Sequence, residues 1–284
     1  MLLFCCMMMA QANPDIYQSG TELDAELTVM SYNIRYDNPQ DGINAWPNRK
    51  GNVADMMSSV HDADVIGVQE ALKHQLDDLQ ERMPGYEWVG VGRDDGNKKG
   101  EFSPIFYKRN RFDLLATNTF WLSEQPQMPG SKSWDAAITR IATWAKLMDR
   151  QTDREFYVIN THFDHRGDVA RTESARLIVD FVESLEDEVP IFLTGDLNVM
   201  ETSEAYAVLS ESDAIDDARY RSESEHEGPT ASFSDWETLT PDDSRIDYIF
   251  VNDHVRVRSH TIADKRYDGR FPSDHLPVIV IAEL

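Results

Sequence analysis

Cysteine is almost absent: Cys5 and Cys6 are the only two in 284 residues. If the N-terminus is removed, no disulfide and no thiol nucleophile is left. Basic charge is scarce as well, with 27 Lys and Arg against 51 Asp and Glu, a formal net charge of −24. A field of that sign disfavours duplex DNA, whose binding draws on clustered cations, although nucleic acid could still use a local basic groove. The acids are dispersed, which suits a salt-rich setting before it suits any particular substrate. The densest basic stretches, Lys98-Lys99 and Lys108-Arg109-x-Arg111, read as solvated loop charges. Long apolar runs are missing too. Residues 1–9 are apolar, but such a run is too short to span a bilayer, so no transmembrane anchor is expected. With Ala10-Gln11-Ala12 as a small-x-small cleavage site, residues 1–12 read as a signal peptide lacking its basic leading end. That predicts a secreted or periplasmic protein. The plainer alternative is a greasy N-terminus on a cytoplasmic one.

No repeat or low-complexity tract interrupts the chain. Chemistry-bearing segments run from Asn33 to His275, so one domain over 26–284 is expected. Strand patterns fall at 26–32, 64–69, 87–92, 105–107, 112–122, 143–148, 156–161, 190–197, 246–251, 255–262 and 278–282. Helical spacing covers 48–61, 74–82, 168–185 and 203–209. Gly- and Pro-bearing loops are expected at 93–100 and 123–133, and 216–243 reads as a polar surface excursion. Strands joined by short turns, with few helices between them, predict two packed mixed sheets flanked by helices. Such an α/β sandwich brings several strand ends to one rim.

Those ends carry the chemistry: Gln69-Glu70, Asn160-Thr161-His162, Gly195-Asp196-Leu197-Asn198, Arg245-Ile246-Asp247 and Ser273-Asp274-His275. Gathered together, the carboxylates would repel one another unless a cation sat among them. Phosphoester hydrolysis needs such a cation, a deprotonated water and donors for the non-bridging oxygens. Mg²⁺ takes oxygen ligands and keeps water, so Glu70 at a strand end suits it. Asp196 and Asn198 project from one side at i, i+2, although an Asx turn closing the strand explains the same residues. Asp247, among apolar neighbours, needs a partner. His275 would be fixed in one tautomer by it. Arg245 is the other choice, although neighbours in a strand face opposite ways.

Taken in order, these segments resemble the endonuclease/exonuclease/phosphatase superfamily over nearly all of 26–284. Ser31-Tyr32-Asn33-Ile34-Arg35, Trp46-Pro47-x-Arg49 and Trp134-Asp135-Ala136-Ala137 before Arg140 are similar to a bacterial branch of its metal-dependent hydrolases. The resemblance implies a four-layered α/β-sandwich. It implies Glu70 as the Mg²⁺ ligand, with Mn²⁺ able to substitute, and Asn33 and Asp274 near the metal. Asp196 would orient or deprotonate the attacking water, and Asn198 would hold water and phosphate. His162 would donate to a phosphoryl oxygen. His275, oriented by Asp247, would act as general base or transition-state donor, and Arg140 matches a basic position of some branches.

The chain lacks the basic run of abasic-site endonucleases, the exposed apolar hairpin expected of a sphingomyelinase, and the disulfide of secreted deoxyribonucleases. A phosphodiesterase or phosphatase acting on a small or single-stranded phosphoester is therefore expected. Trp46, Trp134, Phe163 and His165 are candidate walls of its cleft, with core packing the alternative for these aromatics. A secreted nuclease is the nearest other enzyme. A non-enzymatic Ca²⁺-binding extracellular module is more distant: it would lack Asp-rich repeats and EF-hand spacing, and it leaves both histidines unexplained.

Overall fold

Two six-stranded sheets organise the chain. In the computed structural model, which describes residues 25–185, 188–239 and 244–284, the first sheet runs β11 (Arg256–Ile262), β12 (Val278–Glu283), β1 (Leu27–Asn33), β2 (Val65–Gln69), β4 (Ile105–Lys108), β3 (Tyr86–Val89). The second runs β5 (Phe112–Trp121), β6 (Ile141–Asp149), β7 (Arg154–His162), β8 (Ile191–Asp196), β10 (Asp247–Val251), β9 (Asp216–Asp217). The expected signal peptide at 1–12 lies outside the described residues.

Among the described strand pairs only β1 with β2, and β7 with β8, are parallel. A parallel pair needs a crossover; α1 (Trp46–Asp55) lies on the first, α3 (Asp168–Glu183) on the second. Of these central strands β2 and β8 are buried throughout, with apolar residues on both faces. The two-residue strand period then sends alternate side chains into different layers. Val65, Val158, Phe192 and Ile249 meet between the sheets. Ile66 turns outward to Met57, Leu76 and Leu79 under α1 and α2 (Lys73–Arg82). Ile159, Leu193 and Phe250 turn outward to Ala175, Ile178 and Leu209 under α3 and α4 (Glu204–Ser210). The result is the four-layered sandwich.

Near one rim the inner layer becomes polar. Gln69 Nε2 donates to Asn160 Oδ1 at 2.7 Å, and Asn160 Nδ2 donates to the carbonyls of Val68 (2.7 Å) and Pro104 (2.9 Å). A Cβ on Gly67 would stand 2.0 Å from Thr194 Oγ1, so glycine is required for the sheets to approach here. Gln69 and Asn160, quoted above with the site motifs, join the sheets beneath it.

Three expectations change. The helix expected over 48–61 starts earlier, with Pro47 in its first turn, and ends in a π turn at Met56–Val60. The 216–243 stretch is no simple surface excursion: Asp217, Ser232 and Ser234 are buried, and Asp217 pairs with Arg245. Arg111, read as a solvated charge, is buried between Asp64 (2.9 Å) and Asp149 (2.8 Å).

Candidate active site

The C-terminal ends of the parallel strands and the N-terminal ends of their antiparallel neighbours share that rim. Asn33 ends β1, Glu70 follows β2, His162 ends β7 and Asp196 ends β8; Asp247 opens β10, and Asp274-His275 precede β12. His162 stands opposite Asp196 in register, and Asp196 opposite Asp247, so the three form a row on one sheet face. The backbone is left-handed at Arg35 (φ 57°), Glu70 (φ 64°) and Asn198 (φ 52°), a conformation costing non-glycine residues about 1–2 kcal/mol each. Such strain concentrates where side chains must be aimed.

Asn33 is the hub. Its Nδ2 lies 2.8 Å from Asp196 Oδ2, 3.2 Å from Glu70 Oε1 and 3.5 Å from His275 Nε2. Its Oδ1 accepts the Arg35 N–H at 2.9 Å. Asn33 thus ties the two carboxylates together as a donor. Glu70 Oε2 accepts from the Tyr36 N–H (3.0 Å), and Asp196 Oδ1 from the Asn198 N–H (2.9 Å). One atom each from Glu70, Asp196 and His275 lies within 4.8 Å of the others.

His275 Nδ1 lies 2.8 Å from Asp247 Oδ2. Ser232 Oγ donates to the same oxygen at 2.7 Å and accepts from the Ile246 and Asp247 N–H groups. Phe233 meets the imidazole edge-on, with ring centres 5.0 Å apart. The 231–239 stretch thus closes one side of the site. Of the two partners open to Asp247 in the sequence, the geometry selects His275; Arg245 turns away to Asp217 and Glu201.

Burial, reinforced by Asp247, pushes the Asp196 carboxyl up to about 7. Burial, then Glu70, raises Asp274, although Arg35 lies 3.7 Å away. Burial opposes a charge on His275, yet Asp247 and Asp196 outweigh it and hold the ring well above its ordinary value. His162 goes the other way: burial, then Arg140, keeps it neutral. Its Nε2 is 3.0 Å from Asn198 Nδ2 and 3.3 Å from Asp196 Oδ2. One imidazole is cationic and one neutral, the kind of split that separates acid and base roles. Crowded buried carboxyls with raised values are the donor set a divalent cation fits.

An open cleft of about 510 Å³ sits over this cluster, walled by Arg35, Tyr36, Glu101, Ile138, Arg140, His165 and Phe233. Arg140 is buried, and its Nε and Nη1 meet no hydrogen-bond partner; Nη2 lies 3.4 Å from His165 Nδ1. Glu101 Oε2 bonds Arg93 Nη1 at 2.6 Å and stands 4.0 Å from Arg140 Nη1. Arg93 opens the 93–100 stretch and Glu101 follows it, so the ion pair between them closes that loop at the cleft wall.

Three expected walls are elsewhere. Trp46 is buried in the outer core, with Nε1 donating to Asp78 at 2.8 Å, and Phe163 is buried under α3. Trp134 does not line the cleft. Its neighbour Asp135 instead caps α3 through the Ala170 N–H (2.7 Å).

Asp164 had no signal in the sequence. It is buried and accepts backbone N–H groups from Ala137 (3.0 Å), Ile138 (3.1 Å), Arg166 (2.9 Å) and Gly167 (2.8 Å), clamping the loop before Arg140 to the loop bearing His165. Burial works against its charge, but these donors outweigh it and hold the carboxyl at about 2. A depressed carboxyl contributes stability above its unfolded value near 4, lost as pH falls towards 2. Asp164→Asn should cost about 2 kcal/mol at neutral pH. In urea titrations the gap between the two proteins should narrow as pH falls from about 5 to about 3.

The sequence profile described as Endonuclease/Exonuclease/phosphatase family matches residues 30–275. A structure of an endonuclease/exonuclease/phosphatase from Bacteroides vulgatus superposes with a TM-score of 0.87 at 39% identity, covering 92% of this chain and 99% of that one. A mannosyl-6-phosphatase from Bacteroides thetaiotaomicron gives a TM-score of 0.85 at 38% identity, covering 91% and 100%. An uncharacterized protein of Acanthamoeba polyphaga mimivirus is 26% identical over 162 residues, 54% of this chain. The chain spans 59% of that curated relative's length.

Proposed function

The chain belongs to the endonuclease/exonuclease/phosphatase family, and on that premise we propose that it is a phosphoester hydrolase that releases phosphate from a small, hydroxyl-rich phosphomonoester using Mg²⁺ or Mn²⁺. The observation that carries this reading is the pair of buried Arg140 nitrogens, Nε and Nη1, that lack a hydrogen-bond acceptor in the cleft over Glu70, Asp196 and His275. Buried donors without acceptors are costly, and an anion's oxygens would satisfy them. Glu101 on the same wall would repel a second phosphate and accept hydroxyls of the leaving group. Similarity to a bacterial mannosyl-6-phosphatase supports a sugar-like leaving group. Export through residues 1–12 belongs to the same proposal.

Glu70 would hold the cation, with Asp274 beside it. The cation would supply charge compensation for the phosphoryl oxygens and acidify bound water. Asp196, raised towards neutrality, takes the proton of a water held by Asn198. His275, cationic and fixed by Asp247, hydrogen-bonds the developing charge at phosphorus. Arg140 and His162 offer N–H groups to the remaining oxygens.

The test is a substrate panel with and without Mg²⁺: mannose 6-phosphate, p-nitrophenyl phosphate, bis-p-nitrophenyl phosphate, single-stranded DNA and RNA. The sugar phosphate should show the highest kcat/KM, and Glu101→Gln should cut the sugar-to-p-nitrophenyl preference about tenfold. Faster turnover of the polynucleotides would favour a nuclease instead.

A further inference from the structure

Trp46-Pro47-x-Arg49 belongs to none of these roles, yet Arg49 is buried directly behind the site. Its guanidinium serves four backbone carbonyls. Nε donates to Asn44 (2.8 Å), Nη1 to Ile34 and to Pro272 (3.3 Å), and Nη2 to Arg35 (2.7 Å). The rings of Trp46 and Trp236 flank it, with centroids 5.1 and 5.2 Å from its central carbon. Through space it also attracts Asp274 and Asp41.

The identity of those carbonyls matters. Ile34 and Arg35 follow Asn33, while Pro272 comes just before Asp274 and His275. Ser273 Oγ ties the same junction by donating to the Asn33 carbonyl at 2.7 Å. Arg35 is left-handed at φ 57°, and its carbonyl is taken by Arg49 and by Gln75 Nε2 (3.0 Å). The next residue, Tyr36, supplies the N–H that holds Glu70. Arg49 therefore binds together the chain leaving β1, which orients Glu70, and the chain entering β12, which carries Asp274. A planar fork of five N–H groups can do this; a lysine ammonium cannot span the same acceptors.

We propose that Arg49 is a positioning residue for cation binding, holding residues 33–36 and 272–275 at the spacing at which Glu70 and Asp274 serve one ion. This rests on the metal-dependent reading above. Groups that orient metal ligands are typically worth about 10–100-fold in metal affinity or activity, and a group that only sets ligand spacing acts on the affinity.

The experiment is calorimetric titration of the full chain with Mg²⁺ and with Mn²⁺, beside p-nitrophenyl phosphate turnover across metal concentrations. Arg49→Lys should weaken both cations at least about tenfold, with kcat recovering to within a few-fold at saturating metal. Trp236→Leu, which strips one ring from the guanidinium and leaves every donor, should shift affinity the same way by about threefold; it decides the matter if Arg49→Lys does not fold. Unchanged affinity in the folded variant, or turnover still lost at saturating metal, overturns the proposal. Wild-type protein that takes up neither cation would instead remove the metal reading on which the proposal stands.

Discussion

His275→Ala should lower kcat by about 10³-fold or more, and Asp247→Asn by a large fraction of that loss. The double variant should be little worse than His275→Ala alone. The reason is geometric. Asp247 Oδ2 takes both His275 Nδ1 and Ser232 Oγ, while Asp247 Oδ1 is buried without a partner. The carboxylate thus acts mainly through the imidazole. An amide in its place can hold the ring but cannot support its positive charge. Residues acting as one unit are non-additive in such a cycle. The measurement is steady-state kinetics of the four proteins at saturating metal. Losses that add fully in log kcat would separate the two residues and end the pairing as a functional unit.

Glu70→Gln should be the second severe change, lowering kcat/KM about 10²-fold at moderate metal concentration, with calorimetric cation affinity falling at least tenfold. Stability should not follow. The variant keeps an oxygen for the Tyr36 N–H and loses a charge that raises the Asp274 carboxyl. The melting temperature in EDTA should therefore hold or rise. Glu70→Ala, which also gives up the bonds from Tyr36 and Asn33, should show a small loss of about 1 kcal/mol in the same measurement. A large drop in the metal-free stability of Glu70→Gln would make Glu70 a structural residue.

The two-sheet architecture was legible because strand ends announce themselves locally: an apolar run, then Glu70, His162 or Asp196. The family resemblance supplied the number of layers. Position within the site was less legible. Asn160 and His162 lie two apart on β7 and share a face, yet Asn160 sits one step deeper, in the joint between sheets, while His162 at the strand end joins the row with Asp196. Trp46 looked like a cleft wall because aromatics suit both cores and clefts; only the tertiary contact with Asp78 and Arg49 decides between them. Asp164, Ser232 and Glu101 left no local signature. Their work is long-range hydrogen bonding, and the 216–243 stretch that carries Ser232 is polar enough to pass for surface. The Arg245–Asp217 pair was hidden in the same way, since Asp217 ends β9 and Arg245 lies just before β10, far apart in sequence.

Metal dependence at the Glu70 cluster is tested most directly by phosphate release from mannose 6-phosphate and p-nitrophenyl phosphate. The wild-type chain is stripped with EDTA and then titrated with Mg²⁺ or Mn²⁺, with Glu70→Gln run in parallel. Activity absent from the stripped protein should return saturably with either cation, and Glu70→Gln should need a much higher concentration to approach it. Full turnover in the stripped wild type, or restoration curves that coincide for wild type and Glu70→Gln, would contradict the assignment.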